Sequence, residues 1–204
     1  EISEAMERIE LGLRQRIKLS REEKEFTAYH EAGHAIITYL LETKRDVFKV
    51  SIIPRKRSAG VSWSHEKEES LSYDQKQALA SIKCSLGGYV AEKIKYGYTS
   101  AGVASDFKNI LRIAHSMVYQ WGMGASGFRG NSSVLFLTNK STEPMMSEEM
   151  KARLDADVQK ILDVCTREVE DILTKDRALL DKFASELLEK EELDYDQMEE
   201  IFKS

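Results

Sequence analysis

The residues with the clearest capacity for chemistry are His30, Glu31 and His34, set in the run His30-Glu31-Ala32-Gly33-His34. This is the H-E-x-x-H pattern. On a helix, positions i and i+4 share one face about one turn apart, so two imidazoles at that spacing can hold one zinc ion. The glutamate between them can reach a water on the same metal and act as general base. Bound zinc lowers the pKa of such a water to about 7, which supplies a hydroxide-like nucleophile at neutral pH. Chance also produces this pattern on unrelated helices. Two features weigh against chance: only four histidines are present, two of them at this spacing, and both lie on or beside an apolar stripe. Unligated imidazoles there would need other hydrogen-bond partners.

The chemistry needs a helix, and the flanking residues predict one over about 22–42. Ser20 followed by Glu23 reads as a capping box. Phe26, Tyr29, Gly33, Ile37 and Leu40 recur every three or four residues as an apolar stripe. Ahead of it, residues 1–20 read as a helical lead-in interrupted at Gly12. The chain opens mid-pattern without an initiator methionine, as expected of a piece of a longer protein.

After the motif helix the period changes. Val47 to Ile53 is rich in β-branched residues and reads as a strand stopped by Pro54; Ser58 to Ser64 reads as a second. The basic turn between them, Arg55-Lys56-Arg57, makes a hairpin. An exposed hairpin edge near Val61, Ser62 and Trp63 can accept an extended peptide as an added strand, or be covered by a loop or a neighbouring subunit. A helix over 74–96 carries Leu79, Ile82, Leu86, Val90 and Ile94 as its stripe. Gly87-Gly88 inside it lowers helix propensity and marks close approach of another backbone, plausibly the motif helix. A small-residue loop, Tyr98 to Asp106, leads into a helix striped by Phe107, Ile110, Leu111, Ala114, Met117, Val118 and Trp121. Gly122 to Gly130 then precedes a short candidate strand, Ser133 to Leu137. Everything after Ser147 reads as helical: a long helix striped from Met150 to Ile172, a second capped by Asp176, and a third starting at Asp194.

The fold class is therefore mainly α, with a small β-hairpin or short sheet and a zincin-like motif helix packed in a helical domain. Residues 21–146 form the expected catalytic part and 147–204 a C-terminal helical bundle. The composition, 42% hydrophobic and 32% charged over 204 residues, supports a real core. A net charge of −5 gives no footprint for nucleic acid. No run reaches the roughly 18 apolar residues of a membrane span. Cys84 and Cys165 are too few and too far apart for a disulfide framework or a cysteine zinc site; they read as core filler.

Catalytic zinc usually takes three protein ligands, and the motif supplies two. The extension H-E-x-x-H-x-x-G-x-x-H is absent, because Ile37 and Leu40 stand at its glycine and histidine positions. By residue type, Glu92, Asp106, His65 and His115 are all candidates, and spacing does not choose among them. Each has an ordinary alternative: a solvated acid for Glu92, a cap or first-turn acid for Asp106, a structural imidazole for His115.

Several motifs occur in an order that resembles the protease domain of the FtsH family, the membrane-anchored AAA+ metalloproteases. They are Ala5-Met6-Glu7-Arg8-Ile9, Glu23-Lys24 through Thr27-Ala28-Tyr29-His30-Glu31-Ala32-Gly33-His34-Ala35, Ile53-Pro54-Arg55 with Gly60, Leu86-Gly87-Gly88-Tyr89-Val90-Ala91-Glu92 with Tyr96-Gly97, Thr99 through Phe107, and Met117-Val118 with Trp121-Gly122-Met123. The resemblance covers nearly the whole chain. It implies Asp106 as third zinc ligand, Glu92 as the acid orienting a ligand histidine, one Zn2+ per chain, and polypeptide substrates. It also implies a homo-hexamer beneath an ATPase ring, with ATP used only by that ring. Anchoring would come from membrane segments outside this sequence, with this domain on the cytoplasmic, matrix or stromal side. Residues 1–20 would be the linker from that ATPase module. The sequence contains no Walker motif, so the chain itself is not expected to bind ATP. It departs from the family at the turn Lys56 to Ala59 and over Ala125 to Asn131. A catalytically silent, hexamer-forming scaffold is the alternative from another class, and a non-proteolytic zinc hydrolase a third. The intact set His30, Glu31, His34 and Asp106 argues against the silent scaffold.

Overall fold

A computed structural model describes residues 17–41, 45–54, 60–66, 73–128 and 146–203. Six α-helices and a small antiparallel sheet make up the described residues: α1 (Arg21–Leu41), β1 (Arg45–Ser51), β2 (Val61–Glu66), α2 (Gln75–Tyr96), α3 (Ala104–His115), α4 (Glu148–Lys175), α5 (Arg177–Lys190), β3 (Glu192–Asp194) and α6 (Tyr195–Phe202). A 3₁₀ turn, Ala101–Val103, enters α3, and a π-helical turn, Ser116–Gln120, leaves it. The mainly helical expectation holds. Most of the expected lead-in and the candidate strand at 133–137 lie outside the described residues, and residues 17–20 carry no helix.

The start of α1 follows from its capping box. Ser20 N–H donates to Glu23 at 2.7 Å, and Glu23 N–H donates back to Ser20 Oγ at 3.1 Å. Rather than one stripe, α1 buries residues nearly all round: Ala28, Tyr29, Glu31, Ala32, Gly33, Ala35, Ile36, Ile37 and Thr38. That makes it the central helix, wrapped by its neighbours. Leu40, expected on the buried stripe, is exposed near the helix end. The α1–α2 crossing is tight because Gly33 meets Gly87: a Cβ on Gly33 would fall 2.2 Å from the Gly87 carbonyl oxygen. The glycine pair in α2 thus marks the approach its sequence suggested. α2 opens on a capping box from Asp74 and ends at Gly97 in the left-handed conformation.

The expected hairpin of β1 and β2 is present, and a third strand extends it into a short sheet. Its order is β2-β1-β3, so β1 is central and β3 arrives from the C-terminal segment, where only helix was expected. Val50 pairs with Leu193, whose side chain is fully buried. Three residues leave no room for a periodic signal, which is why the sequence read straight through β3. β1 ends at Ser51, ahead of Pro54, and β2 begins at Val61. A register shift between Val47 and Lys49 places a bulge at Phe48. Among the described residues, β2 and β3 are the two edges of the sheet, β2 being the edge that the hairpin reading expected.

The core is one continuous cluster drawing on α1 to α6 and β1. Leu111 and Trp121, expected inside, are exposed, and Ile113 takes an inward place on α3. Asp176 stands at the N-cap of α5 but makes no side-chain cap hydrogen bond, whereas Asp194 closes a full capping box with Gln197. Cys165 is buried and Cys84 half-buried.

Candidate metal centre

α1 carries His30 and His34 one turn apart, and both face α2 and the start of α3. His30 lies flat against bare backbone: a Cβ on Gly88 would fall 2.5 Å from its Cε1. Its Nδ1–H donates to Glu92 on α2 at 2.7 Å. The Nδ1–H of His34 donates to the Cys84 carbonyl at 2.7 Å. A carbonyl only accepts, so His34 is fixed in one tautomer with Nε2 unprotonated when neutral. The carboxylate partner does the same for His30.

The two Nε2 atoms then face each other 3.0 Å apart. Asp106, in the first turn of α3, completes the cluster, with Oδ2 at 3.3 Å from His30 Nε2 and 3.4 Å from His34 Nε2. That oxygen is buried and has no hydrogen-bond partner. Among the described residues, only these three side chains gather as a metal-ligating group. Three bare acceptor atoms converging on one point repel one another unless positive charge sits between them. Tetrahedral zinc with ligand bonds of roughly 2.0–2.2 Å holds ligand atoms about 3.3–3.5 Å apart. The two distances to Asp106 fall in that range and the nitrogen pair is slightly closer, so the donor set and spacing fit zinc.

The electrostatics point the same way. Burial disfavours charge on His30, yet the carboxylates of Asp106 and Glu92 beside its two ring nitrogens and the field of Glu31 outweigh burial and push its pKa up to about 10. Burial also raises Asp106, but His30 and His34 hold its carboxyl far below the usual range. The pocket is built around a positive charge.

Glu92 is no solvated acid: it is 1% exposed. Besides the His30 ring it accepts from Thr99 Oγ1 at 2.5 Å and from Ser100 N–H at 2.9 Å. Burial pushes its carboxyl up, and these bonds outweigh burial and leave it below the ordinary value. Ionised and immobilised, it orients His30.

Glu31 is buried, and its carboxylate lies against the residue that leads into β2: a Cβ on Gly60 would lie 2.7 Å from its Oε1. Burial raises its pKa, the nearby imidazoles lower it, and burial prevails. His30, Glu31, His34 and Asp106 line one cleft of about 950 Å³, together with Val61 and Ser62 of β2. Trp63 of β2 pairs with Lys49 of β1, and its side chain lies outside the described residues. Of the other candidate ligands, His65 pairs with Asp46 through β2, and its side chain is likewise outside the described residues. His115 is exposed and stacks on Tyr119, away from the cluster.

Sequence reasoning missed the Cys84 carbonyl, because a backbone acceptor leaves no residue-type signal. It missed Gly60 over Glu31 and Gly88 under His30 in the same way: each acts by lacking a side chain. Thr99 and Ser100 had a visible signal as small hydroxyl residues just ahead of Asp106.

Residues 17–201 match the profile described as peptidase family M41. The chain is 36% identical over 205 residues to the ATP-dependent zinc metalloprotease FtsH of Nitrosococcus oceani, covering 98% of this chain and 32% of that protein. Against the protein of the same name from Borreliella burgdorferi it is 37% identical over 207 residues, again 98% and 32%. ATP-dependent zinc metalloprotease FtsH 3 of Conexibacter woesei is 34% identical over 200 residues, covering 95% of this chain and 26% of its own length. The chain thus spans about a third of the length of the relatives it matches.

Proposed function

This chain belongs to peptidase family M41, and from that membership we propose that it is the zinc-dependent endopeptidase domain of an ATP-dependent, membrane-anchored protease acting on unfolded or membrane proteins. The observation that carries this reading is the convergence of His30 Nε2, His34 Nε2 and Asp106 Oδ2 beside a buried Glu31. One Zn2+ per chain is held by those three residues. When bound, zinc supplies a Lewis acid for the scissile carbonyl and a water of lowered pKa.

The chain's own residues do the rest. Glu31 takes a proton from the attacking water and passes it to the leaving amine. Its burial beneath Gly60 raises its proton affinity, which suits a base that must hold and then release that proton. Glu92 and the Cys84 carbonyl keep both imidazoles in the tautomer that presents Nε2. The β2 edge at Val61, Ser62 and Trp63 aligns an extended substrate by main-chain hydrogen bonds, which favours broad specificity.

Residues 21–146 carry the chemistry and 147–204 the helical support. The resemblance to the FtsH family supports a homo-hexamer with an ATPase ring, ATP serving that ring alone, and a membrane anchor outside this chain, with the domain on the cytoplasmic, matrix or stromal side. No helix among the described residues is long and apolar enough to cross a membrane. A catalytically silent scaffold would have no need to keep Glu31 and three converged ligands. Glu31→Gln tests the assignment: it should retain zinc while cleavage of an unfolded polypeptide falls by about 10²–10⁴-fold. Substantial residual cleavage would remove Glu31 from its role, and hydrolysis of small esters alone would favour the non-proteolytic hydrolase.

A further inference from the structure

Asp106, Asn109 and Arg112 recur every three residues along α3, and all three line the cleft. Arg112 is the only lysine or arginine among the described residues lining it. Its head group is positioned by a relay. Asn109 Nδ2 donates to Ser85 Oγ on α2 at 3.0 Å, which turns the amide oxygen outward. Arg112 Nη2 donates to that oxygen at 3.0 Å. One of five guanidinium donors is thereby used. Arg112 has no ion-pair partner among the described residues.

An ordinary role would be to compensate carbonyls at the end of α3. That role is already filled, because the chain continues into the π-helical turn and Ser116 N–H donates to the Arg112 and Ile113 carbonyls. What remains is an oriented cation on the wall of a cleft whose other charged side chains among the described residues, the two histidines apart, are Glu31, Glu92 and Asp106.

We propose that Arg112, held by Asn109 and Ser85, is a specificity residue that reads a carboxylate on the polypeptide substrate. At 1.5 Å rise per residue, Arg112 lies about 9 Å along α3 from Asp106. An extended chain rises about 3.3 Å per residue, so the carboxylate belongs two to three residues from the scissile bond. Its source is an acidic side chain or a nearby substrate C-terminus. The proposal rests on the protease reading above.

The test uses paired peptides that differ only by glutamate or glutamine, scanned along both sides of the cleavage point. The ratio of kcat/KM within each pair is read for the wild type, Arg112→Ala and Arg112→Glu. The wild type should prefer glutamate about fivefold at one such position, as for an exposed charge pair, and lose that preference as salt rises. Arg112→Ala should bring the ratio to about one, and Arg112→Glu should invert it. Comparing free-acid with amidated peptides separates the two carboxylate sources: a preference confined to the free acid assigns the terminus. A ratio near one at every position in the wild type, or an unchanged preference in Arg112→Ala, overturns the proposal while leaving the protease reading intact. If no peptide is cleaved, that reading fails instead. Fluorescence anisotropy of the same labelled pairs then decides the proposal alone, since equal wild-type affinities for both members overturn it and a glutamate preference lost in Arg112→Ala sustains it.

Discussion

At the residue scale, the site is a competition between protons and metal for one pocket. His30 cannot present Nε2 to zinc while that nitrogen carries a proton, and the surrounding acids push the pKa of His30 up to about 10 in the absence of metal. Zinc uptake near neutral pH must therefore expel a proton, and acidification must drive zinc off. Calorimetric titration of zinc in buffers of different ionisation enthalpy should show about one proton released per ion, with affinity weakening as pH falls. Heats independent of the buffer would contradict this. His30, Glu31 and His34 were legible because helical spacing and side-chain chemistry coincide in one short motif. Asp106 was not legible from residue type or spacing, which left four candidates equal; the family resemblance alone singled it out, and α3 sets it beside both histidines. The orienting groups divide in the same way: Glu92 is a side chain and left a trace, whereas the Cys84 carbonyl left none.

At the scale of the elements, the ligands are aligned by how closely α1 and α2 approach. Gly33 and Gly87 remove the side chains that would hold the helices apart, and Gly88 provides the flat seat for the His30 ring. A methyl group at Gly88 would collide with Cε1, Nδ1 and Nε2 of His30. Gly88→Ala should therefore destabilise the fold by about 1–3 kcal/mol, as overpacked cores do. It should also weaken zinc retention more than that loss explains, because the His30 ring itself must move. Thermal melts read beside chelator competition check this, and normal zinc retention in a destabilised variant would contradict the seating role. The glycine pair was readable in the sequence as a close approach. Its second use, under a ligand, was not, because it depends on where α1 places His30. Most helix limits followed from caps and stripes, but α1 hid its depth: a helix wrapped on most sides has no polar face to mark its direction.

At the scale of the whole molecule, the C-terminal segment is woven into α1, α2 and β1. β3 pairs with β1, Ile52 N–H donates to the Glu191 carbonyl at 3.0 Å, and Lys24 pairs with Glu191. Tyr29 on α1 accepts from Lys95 on α2 and donates to Asp181 on α5, each at 2.8 Å. Leu193 sits at this junction with no exposure, so Leu193→Ala should cost about 2–5 kcal/mol. The melt should stay a single transition, shifted down by about 2–4 °C per kcal/mol, with zinc released in step. Two separated transitions would show that the parts fold independently. This weave was invisible in the sequence because a three-residue strand carries no period, and its partner lies more than a hundred residues away.

The central claim is that His30, His34 and Asp106 hold one zinc ion, with Glu92 acting through His30. Elemental analysis of zinc in the wild type, Asp106→Ala and Glu92→Ala, purified side by side and challenged with chelator, tests it most directly. The account predicts about one zinc per chain in the wild type. It predicts outright loss in Asp106→Ala and affinity weakened about 10–100-fold in Glu92→Ala. Zinc held normally without Asp106 and lost without Glu92 would contradict the ligand assignment, and no zinc in the wild type after metal is added back would contradict the metal centre itself.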